Sequence, residues 1–120
     1  MKKKLTTEED YRLRVDRVCM YIREHLDKEI DMRRLAVLSA FSPFHFHRIM
    51  RAYLKEPIGA FIIRTRVETA AKLLRYTDLP VADIAYRVGY DTPSSLTKSF
   101  CKLFGISPKM YRLTKNYQMM

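Results

Sequence analysis

The sequence predicts an all-α protein of about seven helices, arranged as two helix-turn-helix subdomains joined by a long linker helix. Three observations carry this reading. The 120 residues are 48% apolar and 30% charged but include only three glycines and five prolines, which suits a folded domain and is too few turn-formers for a β architecture. Apolar residues recur at the spacing of helix faces. A pattern of caps and apolar positions then returns after an offset of 49 to 50 residues. At 14.3 kDa the length accommodates one domain, residues 1–120, and excludes a multidomain enzyme.

The first subdomain is expected over 7–54. Its opening helix is signalled by Thr6 three residues before Glu9, the spacing of a capping box, with Glu8, Glu9 and Asp10 in the first turn, where the helix dipole favours anions. Tyr11, Val15, Val18, Cys19, Ile22 and Leu26 form its apolar stripe, so Cys19 reads as core, and His25 faces the dipole at the far end. Asp31 caps a short helix from Met32 to Leu38 with Leu35 and Leu38 inward, and Ser39-Ala40-Phe41 forms a tight connection. Ser42-Pro43, a hydroxyl cap with proline at the first helical position, opens a helix to about Leu54. Phe46, Ile49, Met50 and Tyr53 make its apolar stripe; Phe44, His47, Arg48 and Arg51 make the opposite one, a basic and aromatic face that no core needs.

The linker helix is expected over 57–75, about 28 Å long at 1.5 Å per residue. Phe61, Val67, Ala70, Ala71 and Leu74 supply its buried side, and Arg64, Arg66, Lys72 and Arg75 leave the remainder basic. The second subdomain, 80–112, follows the loop Thr77-Asp78-Leu79: Pro80 starts a helix to Val88, and Gly89 ends it with the freedom to take a positive φ. Residues 113–120, including Met119-Met120, read as a polar, frayed tail.

The repeat sets Leu35-Ala36 against Ile84-Ala85, Phe41 against Tyr90 and Ser42-Pro43 against Thr92-Pro93, with Asp91 the extra residue in the second turn. Beyond it Phe46 maps to Leu96, Met50 to Phe100, Tyr53 to Leu103 and Phe61 to Tyr111. Each unit is thus a short helix, a tight turn and a second helix with a polar outer face. In the second copy that face is Ser94, Thr97, Lys98 and Cys101. Hydroxyls at the start of a helix can bond either kind of base in a major groove, and lysine favours guanine.

Charge supports a polyanionic partner. Lys and Arg number 23 against 13 Asp and Glu, for a net charge of +10, and the excess is only +1 in residues 1–30 but +9 from residue 31 onward. Two cysteines form no disulfide framework and show no metal-ligand spacing, which suits a reducing cytosol. After Met1-Lys2-Lys3-Lys4 the chain turns acidic at Glu8 instead of apolar, so no export signal is expected, and no run is apolar enough to span a bilayer. The expected location is cytoplasmic, with no membrane partner.

Catalysis has no constellation to rest on: no serine has a base and orienting acid at recognisable spacing, and there is no Gly-rich phosphate loop. The chain is therefore not read as an enzyme, and no cofactor is expected. His45 and His47 are two apart on a helix and point away from each other, whereas a helical metal pair needs a spacing of three or four, so no metal is expected either. Two classes remain open: a sequence-specific double-stranded DNA-binding regulator, and a nonspecific architectural DNA-binding or helical protein-interaction module. Aromatic, His, Arg, Ser and Thr side chains on two short faces favour the first, because nonspecific binders rely mainly on cations at phosphates.

Ile84-Ala85-Tyr86-Arg87-Val88-Gly89-Tyr90 through Ser94-Ser95-Leu96-Thr97-Lys98-Ser99-Phe100, closing with Phe104-Gly105-Ile106-Ser107-Pro108 and Tyr111-Arg112, resembles the DNA-binding domain of the AraC/XylS family of bacterial transcription regulators. The resemblance covers roughly residues 15–112. It implies two helix-turn-helix subdomains whose recognition helices enter successive major-groove segments on one face of DNA. Carried over position by position, it implies base contacts from Phe44, His47 and Arg48 with His45 at the edge, and from Ser94, Ser95, Thr97 and Lys98; Arg51, on the outward stripe of the first reading helix, and Lys102, beside the stripe of the second, are expected to join them on DNA. RNA polymerase is the further partner it implies. The wording from Ser42 to Phe61 resembles members followed by a GyrI-like ligand-binding domain, which implies a downstream domain in a longer chain. Three positions depart from the family pattern: Lys55 where many members have a helix-ending glycine, Met50 where many have phenylalanine, and Cys101 where many have lysine. The first two are expected to affect packing only; Cys101 removes a phosphate contact and weakens backbone affinity in the second half.

Overall fold

The computed structural model describes residues 4–118, with side chains through residue 114. The described residues form seven helices and no strand: α1 (Thr7–Glu24), α2 (Met32–Ser39), α3 (Pro43–Leu54), α4 (Ile58–Tyr76), α5 (Val81–Arg87), α6 (Pro93–Phe104) and α7 (Pro108–Gln118). They pack as two units, the first holding residues up to 25 with 29–61 and the second holding 26–28 with residues from 62 onward. The division falls inside α4, whose first turn packs with the first unit and whose remainder belongs to the second.

In the first unit the caps act where the sequence places them. Thr6 Oγ1 accepts the Glu9 N–H at 3.1 Å, and the Asp31 carboxylate accepts the Arg33 N–H at 2.9 Å, each satisfying a donor that has no partner within the helix. At the end of α1, His25 Nδ1 donates to the Tyr21 carbonyl at 2.8 Å. Val15, Val18, Cys19 and Ile22 of α1 are buried, as are Leu35 and Ala36 of α2, Phe41 in the turn, and Phe46 and Met50 of α3. Leu38, expected inward, is only half-buried, and Leu26 falls after α1 in the segment that belongs to the second unit.

The turn between α2 and α3 is held more firmly than a loop. Ser39, expected there, is instead the last residue of α2 and fully buried; its hydroxyl donates to the Ala36 carbonyl at 2.6 Å and accepts the Phe41 N–H at 3.0 Å. Arg14 reaches over from α1. Its Nε donates to the Ser39 carbonyl at 2.7 Å, another of its nitrogens donates to the Ala40 carbonyl, and its guanidinium lies 4.0 Å from the centre of the Phe41 ring. One cation therefore satisfies two carbonyls that the end of α2 leaves without helical partners. Asp10, 3.2 Å away, orients it.

The second unit packs α4 residues Val67, Ala70, Ala71 and Leu74 against Ile84, Ala85, Val88, Leu96 and Phe100. Arg66 does not sit on a solvated basic face as expected. It is half-buried, its guanidinium donates to the Lys28 carbonyl at 3.3 Å and it lies 6.0 Å from the Tyr90 ring, because the segment 26–28 folds down beside it. Gly89 has φ +102°, and a Cβ placed there would stand 1.9 Å from the Leu26 carbonyl oxygen. Only glycine fits this turn.

The expected tail is helical through Gln118, and Met119-Met120 lie outside the described residues. The cause was present in the sequence: Ser107-Pro108 repeats the hydroxyl-proline start, Ser107 Oγ accepts the Met110 N–H at 3.1 Å, and nothing from Pro108 to Gln118 interrupts a helix. Arg112 of α7 donates to the Leu74 and Thr77 carbonyls at 3.2 and 3.3 Å, covering the C-terminal end of α4.

Candidate nucleic-acid interface

The two outer faces singled out by the sequence lie on α3 and α6, each the second helix of its pair. On α3, Phe46 and Met50 point into the core, with Ile49 and Tyr53 half-buried beside them. That register turns Phe44, His47, Arg48 and Arg51 outward, and all four are exposed, Phe44 to 95%. A phenylalanine so placed covers nothing in its own unit. No ion pair among the described residues uses Arg48 or Arg51, so both guanidinium groups are available to an outside acceptor.

His45 is exposed at the edge of this face. It differs from the others in having a partner: its Nδ1 shares a hydrogen bond of 2.7 Å with Ser42 Oγ. Ser42 stands at the cap position, but its hydroxyl is turned to His45 and makes no bond to the first turn of α3. His47 lies edge-on to Phe46 with ring centres 5.2 Å apart, so the two histidines look in different directions. Among the described residues no group of three potential metal ligands occurs.

On α6 the cap works as expected: Thr92 Oγ1 accepts the Ser95 N–H at 3.1 Å and shares a further hydrogen bond of 2.9 Å with Ser95 Oγ. Leu96 and Phe100 are buried, and Ser94, Ser95, Lys98, Cys101 and Lys102 are exposed. Thr97 is half-buried, and its hydroxyl donates to the Pro93 carbonyl at 3.1 Å. Its proton is thus engaged within the helix, leaving the oxygen as an acceptor only. Ser94 and Lys98 keep their full donor capacity toward solvent.

The repeat holds in the core and loosens at its rim. Leu35 and Ile84, Ala36 and Ala85, Phe46 and Leu96, and Met50 and Phe100 are buried pair by pair. Tyr53 is half-buried whereas its counterpart Leu103 is 47% exposed. The helix ends differ as well: Lys55 and Gly105 occupy the same left-handed position, at φ +65° and +78°. Lys55 therefore costs backbone strain, not packing, since only glycine takes that conformation freely.

The two cysteines divide as core and surface: burial pushes the Cys19 thiol up from its ordinary value, and Cys101 stands exposed on α6. Sequence reasoning missed Arg14 and Ser39, which shape the first turn. It also gave no role to Arg33, Arg34 and Val37, exposed together on α2. The available signal was Val37, an apolar residue out of phase with Leu35.

A family model described as a helix-turn-helix domain matches residues 35–114, from the core of α2 into α7. The chain is 33% identical over 100 residues to the HTH-type transcriptional activator AarP of Providencia stuartii, covering 83% of this chain and 74% of AarP. The chain belongs to the AraC-type helix-turn-helix family. The F1 operon positive regulatory protein of Yersinia pestis is 35% identical over 100 residues, covering 82% of this chain but 33% of its own length. This chain thus spans about three quarters of one such relative and about one third of another. Among solved structures, the DNA-binding domain of AdpA in complex with a target DNA superposes with a TM-score of 0.80 at 29% identity, covering 87% of this chain and 94% of that one. Family and fold are those of DNA-binding transcription regulators and not of enzymes. No helix among the described residues is long and apolar enough to cross a membrane.

Proposed function

We propose that this chain is the sequence-specific, double-stranded DNA-binding part of a bacterial transcription regulator, with α3 and α6 each entering a major-groove segment. The observation that carries the reading is the duplicated outer face: in both units a helix opened by a hydroxyl residue and proline buries two large apolar residues and turns a polar face to solvent. On α3, Arg48 is the base-reading cation, able to present two N–H groups to guanine. His47 donates beside it, Phe44 supplies an apolar surface suited to a thymine methyl, and Arg51 meets phosphate. His45 borders the face. On α6, Ser94, Ser95, Thr97 and Lys98 read base edges, and Lys102 meets phosphate beside them.

The charge distribution supports the same reading, since the excess of +9 lies beyond residue 30, where both reading helices are. RNA polymerase is the proposed partner on DNA, a ligand-binding domain in a longer chain is the proposed source of regulation, and the cytoplasm is the proposed location. A gel-shift assay with a duplex selected from random DNA and a scrambled duplex of the same composition tests the function. A specific binder prefers the selected duplex by about a thousandfold or more at physiological salt. Equal affinity for both would make the chain a nonspecific architectural binder.

A further inference from the structure

Of the phenylalanines, Phe44 stands apart. Phe41, Phe46, Phe61 and Phe100 are buried, and Phe104 is 39% exposed with its ring against Phe100 and Tyr111, whereas Phe44 is 95% exposed. No ring or guanidinium among the described residues lies against it. The fold does not call for an aromatic side chain at this place. The repeat puts Ser94 at the same step after the cap and proline, and Ser94 is exposed as Phe44 is. Arg48, one turn on from Phe44, corresponds to Lys98 at the same offset, so the cation is common to both units and the ring belongs to the first alone. Phe44 thus holds a large apolar surface in water that neither the cap nor the core uses. It does so on the face that carries Arg48 and Arg51, which no ion pair among the described residues engages.

The chemistry of the major groove decides what such a ring can meet. Phosphates and the polar edges of bases gain nothing from it, and the apolar group that base pairs present there is the C5 methyl of a pyrimidine. Thymine carries that methyl, cytosine lacks it, and 5-methylcytosine places it on a pair with guanine. Phenylalanine has no donor or acceptor with which to tell the two methylated bases apart. Phe44 and Arg48 are four residues apart on one helix stripe, about 5 to 6 Å between their Cβ atoms, and bases follow one another along a strand at roughly 3.4 Å. The ring and the guanidinium therefore reach base pairs about one or two steps apart. We infer that α3 reads a C5-methylated pyrimidine beside the guanine met by Arg48, so that methylation of a cytosine at that place strengthens binding. Ser94, with a hydroxyl at the equivalent position of α6, offers no such surface. The inference rests on the reading that α3 enters a major groove, and adds to it a sensitivity to a chemical mark on the DNA.

Gel shifts with the 120-residue chain test this on a duplex selected from random DNA. Each thymine of the duplex is replaced in turn by uracil, which removes the methyl and nothing else. One thymine is expected to respond with a loss of about fourfold, as burial of a single methyl predicts, and to lie about one or two base pairs from a guanine whose preference Arg48→Ala relaxes. At that place a duplex with 5-methylcytosine is expected to bind about fourfold more tightly than one with cytosine, a pair that again differs by the methyl alone. Phe44→Ala, at a position that supports no core, is expected to bring both ratios to about one while keeping the base preference under α6. The inference is overturned if no thymine responds by more than about twofold, if 5-methylcytosine binds no better than cytosine, or if Phe44→Ala keeps both ratios. Preference for the selected duplex over a scrambled one without dependence on the methyl removes this inference alone. Equal binding to the selected and scrambled duplexes removes the reading of α3 as a base-reading helix, and the inference with it.

Discussion

The two helix-turn-helix units share a core and differ in how each holds its turn. In the first, the bend after α2 passes through Ala40 at φ +59°, and α3 ends at Lys55 at φ +65°, both left-handed and neither glycine. Arg14 compensates by donating to the Ser39 and Ala40 carbonyls and lying over Phe41. In the second, Gly89 and Gly105 take the positive φ values at +102° and +78° with no such strain. The close approach of the Leu26 carbonyl then makes Gly89 irreplaceable on steric grounds. One unit is held by a cation reaching in from outside the pair, the other by the absence of a side chain. The same geometry can thus be specified by a bond or by a vacancy, and the two should fail differently.

The sharpest contrast is Gly89→Ala. Its Cβ would meet a backbone oxygen, and strain at positive φ together with overpacking should cost about 2 to 6 kcal/mol. Amide hydrogen exchange should show α5 and α6 losing protection while α1 to α3 keep theirs; equal loss in both units would break the comparison. Arg14→Ala should do the converse at smaller size, about 2 to 3 kcal/mol, by leaving two carbonyls without their charged donor. Exchange in α2 and α3 should then rise first. Unchanged protection there would show that the turn needs no cation.

The outer faces differ too. The first is bulky and cationic, the second small and hydroxyl-rich with a lysine. Arg48→Ala should cost about 1 to 3 kcal/mol of binding and relax preference at a few base positions. Lys102→Ala should weaken all sequences alike and reduce the salt slope by roughly one. Gel shifts across a salt series on selected and scrambled duplexes separate the two, and an equal loss of preference in both variants would contradict the division of roles. The smallest expected effect is Lys55→Gly, which relieves a left-handed lysine and should raise stability by about 0.5 to 1 kcal/mol in a denaturant melt, less the entropy glycine loses on folding. No gain would mean that the lysine at this position is not strained.

Much of this was legible because caps and apolar spacing are local signals. Thr6, Asp31 and Thr92 announce their helices within three residues, and the buried pairs of the repeat follow from helical periodicity alone. The outward placement of Phe44, His47, Arg48, Ser94 and Lys98 is the complement of that same periodicity. What sequence reasoning missed depends on contacts between distant positions. Arg14 meets residues 25 and 26 positions away, and Arg66 one 38 away, so neither shows in a local window. Thr97, expected outward, is half-buried, and its bond to Pro93 depends on a rotamer that spacing does not set. The helical tail was a different kind of miss, since Ser107-Pro108 is the same start signal as at α3 and α6 and the helix it opens runs on past Arg112, where a frayed tail was expected.

That both units read bases is the central claim, and selection of binding sites from random duplex DNA with the 120-residue chain tests it most directly. The account predicts a consensus with two information-rich blocks about one helical turn, roughly 34 Å, apart, the block under α3 the more strongly specified because it carries arginine and histidine. A consensus with a single block, or no consensus at all, would contradict it.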